Sequence, residues 1–139
     1  MEIEFTVFGE PTGKERPRAD RRSGRMYTPK KTTEYESKVM WVYKNAYHSF
    51  RFPDRAMLHV DIKAYYSIPA SDSVVERARK LRGDHLPIKK PDWDNIGKII
   101  CDALNGIAYR DDAQIVEARV RKYYSDNPRV VVTIWDKEA

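Results

Sequence analysis

Cysteine is almost missing from this chain of 139 residues, which carries one, Cys101. That excludes an internal disulfide framework and any multi-cysteine zinc or iron–sulfur site, and it fits a reducing, cytoplasmic home. No apolar run approaches the ~18 residues of a membrane-spanning helix, so no membrane partner is expected. The opening MEIEFTVFGE lacks the basic and apolar regions of a signal peptide. Repeats, low-complexity tracts and interdomain linkers are also missing. Yet hydrophobic residues make up 41% and aromatics 12%, enough to build a core and escape disorder. The length points to a single domain over residues 1–139.

Charge is where the composition leans. Lys and Arg number 26 against 21 Asp and Glu, a formal net charge of +5, and the excess is concentrated. Residues 10–31 hold eight basic side chains against three acids, and residues 77–90 hold six against one. Two separated basic segments on a small domain point to a polyanion, nucleic acid first; the alternative is two solvated loops. Lys14, Arg16, Arg18, Arg25, Lys89 and Lys90 are the candidates for backbone phosphate contacts.

Hydrophobic periodicity sets out the elements. Ile3, Phe5 and Val7 alternate with Glu2, Glu4 and Thr6, the pattern of a half-buried strand. A Gly-, Pro- and Arg-rich loop then runs to about residue 32; loops of that length are usually functional or disordered. Thr33-Glu34-Tyr35-Glu36 reads as a capping box opening an amphipathic helix that ends near Phe50. A strand is expected over 58–66, then a short basic helix capped by Ser71 or Asp72 and stopped at Gly83. A helix over 95–104 buries Ile96, Ile99, Ile100, Ala103 and Leu104 and stops at Asn105-Gly106. Two last strands, 116–124 and 129–135, flank the turn Ser125-Asp126-Asn127-Pro128 and read as an antiparallel hairpin. The fold class is α/β (α+β): one compact domain, a mixed or antiparallel sheet with helices packed on it.

The densest chemistry lies at residues 85–95. Pro91 disfavours helix at Lys90, so the chain should reach Asp92 extended, where residues two apart point the same way and Asp92 and Asp94 can converge. One of them can instead cap the following helix. Asp111-Asp112 comes after that helix, and one of the pair can face the first two if the next strand lies beside the approach to Asp92. Three gathered carboxylates stay ionised only beside a cation, and an all-oxygen set suits Mg²⁺ or Mn²⁺. Lys98, four residues after Asp94, either pairs with Asp94 or Asp102 for ~0.2–0.5 kcal/mol or offsets charge on a phosphate. For Asp102 the ion pair with Lys98 is the simpler reading. His59 and His85 read as structural and Cys101 as a small core residue. Trp41, Trp93 and Trp135 read as core or dimer contacts, with base stacking an alternative for Trp93.

These residues carry a resemblance. K-K-P-D-W-D-N-I-G-K-I-I-C-D-A-L-N-G at 89–106, followed by Y-R-D-D-A-Q-I-V at 109–116, resembles the RusA family of Holliday junction resolvases. G-x-P-x-x-K-x-R-P-R at 9–18 and M-Y-T-P-K-K-T at 26–32 resemble it as well. The resemblance implies a RusA-like fold and a cytoplasmic, Mg²⁺-dependent, homodimeric endodeoxyribonuclease, with Mn²⁺ as substitute. Such enzymes place paired symmetric nicks across a four-way DNA junction in recombination and repair. Carried over by motif, Asp92, Asp94 and Asp112 are the metal-binding catalytic carboxylates and Lys98 the catalytic lysine, with Asp111 beside the matched position. Pro91 stands where some members have an arginine, leaving Lys89-Lys90 as the nearest cations. Two further classes stay open: a metal-dependent nuclease acting on flaps or branched phage DNA, and a non-catalytic nucleic-acid-binding module.

Overall fold

A computed structural model describes residues 1–137. Its centre is a mixed sheet of four strands in the order β1-β6-β4-β5. β1 (Glu2–Phe8), β4 (Met57–Ser67), β5 (Ile115–Ser125) and β6 (Arg129–Lys137) form it, with β4 and β5 parallel and the other neighbours antiparallel. β2 (Arg18–Ala19) and β3 (Met26–Tyr27) make a separate two-residue ladder inside the basic loop. Among the described residues three α-helices, α1 (Lys30–Tyr47), α2 (Val74–Arg82) and α3 (Trp93–Leu104), and one 3-10 turn, Asp112–Gln114, complete the fold.

The alternation read from the sequence decides which face is covered. Ile3, Phe5 and Val7 on β1, Val60, Ile62 and Ala64 on β4, and Val130, Val132 and Ile134 on β6 all point to one side. There they meet Tyr35, Val39 and Tyr43 of α1 and Ile96, Ile99, Ile100 and Leu104 of α3 in one core. α1 and α3 pack on each other, α1 on β1 and α3 on β5, while α2 leans on β5.

The last two strands do not form the expected hairpin, for β4 lies between them and pairs with both. The local signal, a short polar turn between two alternating segments, is real. It loses because β4 carries the most buried pattern in the sheet and a central strand needs a neighbour on each side. Residues 126–128 therefore cross the end of β4. Arg129 braces the crossing, with its guanidinium 4.0 Å from the Tyr65 ring centroid and hydrogen bonds to Ser125 Oγ at 3.1 Å and the Asn127 carbonyl at 2.8 Å.

The capping box is also displaced. α1 starts at Lys30 behind Pro29, with no side-chain cap. Thr33 Oγ1 donates instead to the Lys30 carbonyl, and Glu36 accepts from Lys14. On α2, Ser73 rather than Ser71 or Asp72 is the cap, accepting from the Glu76 N–H, and Gly83 closes the helix at φ 82°. Asp72 pairs with the buried Lys80 at 2.5 Å.

Candidate active site

The start of α3 is held from two sides. Asp92 occupies the N-cap position with extended backbone, but its side chain makes no capping bond, and Asp94 stands in the first turn. Both carboxylates are exposed. Beneath them the parallel strands supply anchors: the Tyr66 hydroxyl donates to the Pro91 carbonyl at 2.6 Å, and Lys122 Nζ donates to the Lys89 carbonyl at 2.6 Å. Burial, then the nearby Asp92 charge, pushes the Tyr66 hydroxyl pKa up. Burial pulls the Lys122 ammonium pKa down, opposed by Asp92.

From the other side comes the root of the basic loop. The Lys14 N–H donates to the Asn95 carbonyl at 2.9 Å. A Cβ on Gly13 would fall 2.8 Å from Pro91 Cβ and 3.1 Å from Asn95 Cβ, so only glycine permits this approach. Between loop and helix opens a cleft of about 730 Å³. Asp92 and Asp94 face it together with Lys14, Arg16, Arg18, Lys31 and Lys90.

Of these cations Arg18 pairs locally with Glu15 at 3.1 Å, and Lys14 is engaged with two other elements. Its ammonium lies 3.1 Å from Glu36 and 3.4 Å from Asp102, tying the loop to α1 and α3. Burial alone would lower the Lys14 pKa, and the two carboxylates more than offset it. Asp102 thus serves Lys14 rather than Lys98, which has no ion pair among the described residues. Lys98 is exposed, one turn beyond Asp94.

Asp112 sits elsewhere. α3 has 12 residues, about 18 Å at ~1.5 Å each, and the Asp112 N–H binds Asn105 Oδ1 at its far end. β5 runs parallel to β4, so its start lies at the end of the sheet opposite Tyr66 and Asp92. Asp92 and Asp94 therefore share one end of α3, while Asp112 shares the other with Asp111 and Asp102. A hydrogen bond with the Asp111 carboxyl, then burial, then the charges of Asp111 and Asp102 hold the Asp112 carboxyl above the usual range. Asp111 is itself a cap, accepting from the Ala113 N–H in a reciprocal box with Gln114. Among the described residues no three Asp, Glu, His or Cys side chains gather closely enough to hold a metal ion.

Arg16, Arg18 and Arg25 belong to a fully exposed arm, residues 16–28, whose tip is turned by Asp20 accepting from the Arg22 N–H and Ser23 Oγ. Lys89 and Lys90 are exposed before a cis peptide at Pro91. Trp41 and Trp93 are not core: they are 67% and 65% exposed. Trp135 stacks on the buried His59 at 5.4 Å, and His85 binds Glu76.

A family model described as Endodeoxyribonuclease RusA matches residues 9–135. The chain belongs to the RusA endodeoxyribonuclease family. It is therefore an enzyme, a phosphodiester hydrolase of the Holliday junction-resolving kind. The uncharacterized protein YqaN of Bacillus subtilis (strain 168) is 36% identical over 141 residues, which cover 99% of this chain and 98% of that protein.

Mg²⁺ keeps several waters and is commonly held by one or two carboxylates plus substrate phosphate, not by an all-protein cage. The Asp92 and Asp94 carboxylates, exposed on an open cleft, meet that requirement. Asp111 and Asp112, crowded enough to raise a carboxyl pKa, form a second acidic pair.

Sequence reasoning missed groups that build this cleft, Gly13, Glu36, Tyr66 and Lys122, and paired Asp102 with Lys98 where the structure pairs it with Lys14. Asp102 had a readable signal, lying eight residues after Asp94 and so on the same helix face. For the close approach of Gly13 and the Tyr66 bond to Pro91 the one-dimensional pattern holds none.

Proposed function

We propose that this RusA protein resolves four-way DNA junctions by paired symmetric nicks in recombination and repair, as a cytoplasmic Mg²⁺-dependent homodimer in which Mn²⁺ can substitute. The observation that carries this reading is the cleft, where the Asp92 and Asp94 side chains have no hydrogen-bond partner among the described residues and stand beside Arg16, Arg18 and Lys90. Phosphodiester cleavage needs both, cations for the backbone and carboxylates for the metal. Asp92 and Asp94 would hold the cation, which when bound lowers the pKa of a water and polarises a phosphoryl oxygen; Asp112, grouped with them in the sequence motif, stands at the other end of α3 and would not reach the same ion within one chain.

The chain's own residues do the rest. Arg16, Arg18 and Arg25 on the arm and Lys89 and Lys90 before α3 hold phosphates without regard to sequence. Lys14 stands behind them, fixing the loop. Lys98, with no partner to satisfy among the described residues, offsets the charge that gathers on the phosphate and the leaving 3′-oxygen. A junction presents two equivalent strands, so two sites related by a two-fold axis match it.

The test is cleavage of a labelled four-way junction beside duplex, flap and single-strand controls, in Mg²⁺ and in chelator, with Asp94→Asn in parallel. Symmetric junction nicks that require both Mg²⁺ and Asp94 are expected, with the variant still binding the junction. Preferred cutting of flaps would move the substrate to branched DNA in general. Binding with no cutting in either Mg²⁺ or Mn²⁺ would sink the proposed mechanism.

A further inference from the structure

Residues 89–91 carry the chain across β4 and β5 to the start of α3, and two of their carbonyls are caught from the sheet. The donors are diagonal neighbours on adjacent parallel strands, since Ala64 pairs with Lys122 and Tyr66 with Tyr124. The Tyr66 hydroxyl takes the Pro91 carbonyl and the Lys122 ammonium takes the Lys89 carbonyl, both at 2.6 Å. The ammonium also lies 5.0 Å from the Tyr66 ring centroid, so each donor steadies the other. Among the described residues these are the only hydrogen bonds that the backbone of residues 85–91 makes. Nothing else of that kind fixes the approach to Asp92.

A lysine is a costly choice for holding a carbonyl. Lys122 is partly buried and has no ion pair among the described residues, so its charge gives up water for one neutral acceptor. Asp92 accounts for the choice, because its charge acts on both Lys122 and Tyr66. The Asp92 side chain makes no capping bond to α3. The direction of its carboxylate is therefore set by the backbone on either side. After it, the Asp92 carbonyl accepts from the Ile96 N–H at 3.0 Å. Before it stand the two carbonyls held by Tyr66 and Lys122.

We propose that Tyr66 and Lys122 are positioning residues of the cleavage site: by holding the Pro91 and Lys89 carbonyls they aim the Asp92 carboxylate at the cation, acting through the backbone rather than on the substrate. The inference rests on the reading of Asp92 and Asp94 as the cation's holders and deepens it. Groups that orient a metal ligand from behind typically matter about 10–100-fold in metal affinity or activity.

Tyr66→Phe in the full chain keeps the ring in the core and removes only the donor. Mn²⁺ binding without DNA, read from the electron paramagnetic resonance signal of the free ion, should weaken about 10-fold. Single-turnover cleavage of a labelled junction should slow by a similar factor, with junction affinity in chelator unchanged. Lys122→Met should act in the same direction, and the double variant should lose less than the product of the two single losses, because both release one segment. Tyr43→Phe is the control: its hydroxyl also donates from a buried ring to a backbone carbonyl, that of Phe50, on the α1 side of the core. It should lower the melting temperature and leave Mn²⁺ affinity and rate alone. Tighter Mn²⁺ binding by Lys122→Met would make that ammonium a repelling charge and overturn its positioning role. Tyr66→Phe with wild-type affinity and rate, beside an Asp94→Asn that loses both, would overturn the proposal and leave the cleavage reading standing. A wild type that neither takes up Mn²⁺ nor cuts would overturn both.

Discussion

Gly13→Ala adds one methyl group where the basic loop leans on the start of α3. Gly13 has no positive φ, so its backbone accepts alanine and the effect is one of space alone. The new Cβ would meet Pro91 Cβ at 2.8 Å and Asn95 Cβ at 3.1 Å, whereas ordinary contact begins at 3.4 Å. Relief takes at least about 0.6 Å of movement at Pro91 or in the loop. Neither is a flexible side-chain end. Overpacking of this kind costs about 1–3 kcal/mol, and a weakened Lys14–Asn95 backbone bond adds about 1 kcal/mol.

The larger consequence is functional, because Pro91 directly precedes Asp92 and Asn95 directly follows Asp94. Misplacing reacting groups by about 1 Å costs on the order of 10²-fold in rate. Single-turnover cleavage of a labelled junction should therefore slow by one to two powers of ten, with junction affinity nearly kept and the melting temperature down by roughly 6–16 °C. Gly83→Ala is the control: it strains a left-handed helix end at φ 82° but meets nothing within 4 Å. It should cost stability and spare the rate. If Gly13→Ala cuts at the wild-type rate, the loop root does not position the aspartates and the reasoning fails.

Four further outcomes are expected. Lys14→Ala leaves Glu36 and Asp102 unpaired and should cost about 1–2 kcal/mol, between exposed and buried ion pairs, without changing the salt dependence of junction binding. Arg16→Ala should lower that slope by about 1, so equal slopes for the two variants would refute the division of labour between loop root and arm. Burial, opposed by the Tyr109 hydroxyl, pushes the Cys101 thiol up to about 11. Iodoacetamide at pH 8 should then label the folded protein very slowly, with a thiolate fraction of about one in a thousand. The fold holds that proton more tightly than the unfolded chain, so the contribution is full below the thiol's ordinary value of 9.0 and lost as pH rises toward about 11. On the outer strand β1 the Tyr47 hydroxyl accepts from the Glu4 N–H at 2.8 Å and donates to the Glu4 carbonyl at 2.9 Å, closing that edge. Tyr47→Phe removes both bonds, at about 1 kcal/mol each, and should produce association beyond a dimer, visible by light scattering.

Elements with a strong period were legible. β1, β4 and α3 buried the residues their alternation or helical spacing marked, because one face of each is apolar and a single core receives all three. What failed was decided by competition for partners. The turn at 125–128 is good hairpin chemistry, yet β4 takes the place between the strands. Thr33 and Glu36 spell a capping box, yet Lys14 arrives from a loop 22 residues away in sequence and takes Glu36. A spacing rule cannot see a partner delivered by tertiary structure.

The same limit separates the aspartates. In sequence Asp92, Asp94 and Asp112 belong to one motif block. In space a 12-residue helix stands between the first two and the third, since a strand parallel to β4 must begin at the sheet end that β4 leaves from. The link across that length is Lys14, which faces the cleft with Asp92 and Asp94 and touches Asp102, the residue whose charge reaches Asp112. The basic loop therefore has two physically distinct parts. Its root, Gly13 and Lys14, is packed and paired and acts on the shape of the site. Its arm, 16–28, is exposed throughout, and apart from the surface pair of Arg18 with Glu15 its arginines face solvent, where phosphate can meet them. Substitutions at the root should change how fast a bound junction is cut, and substitutions in the arm should change how tightly it is bound.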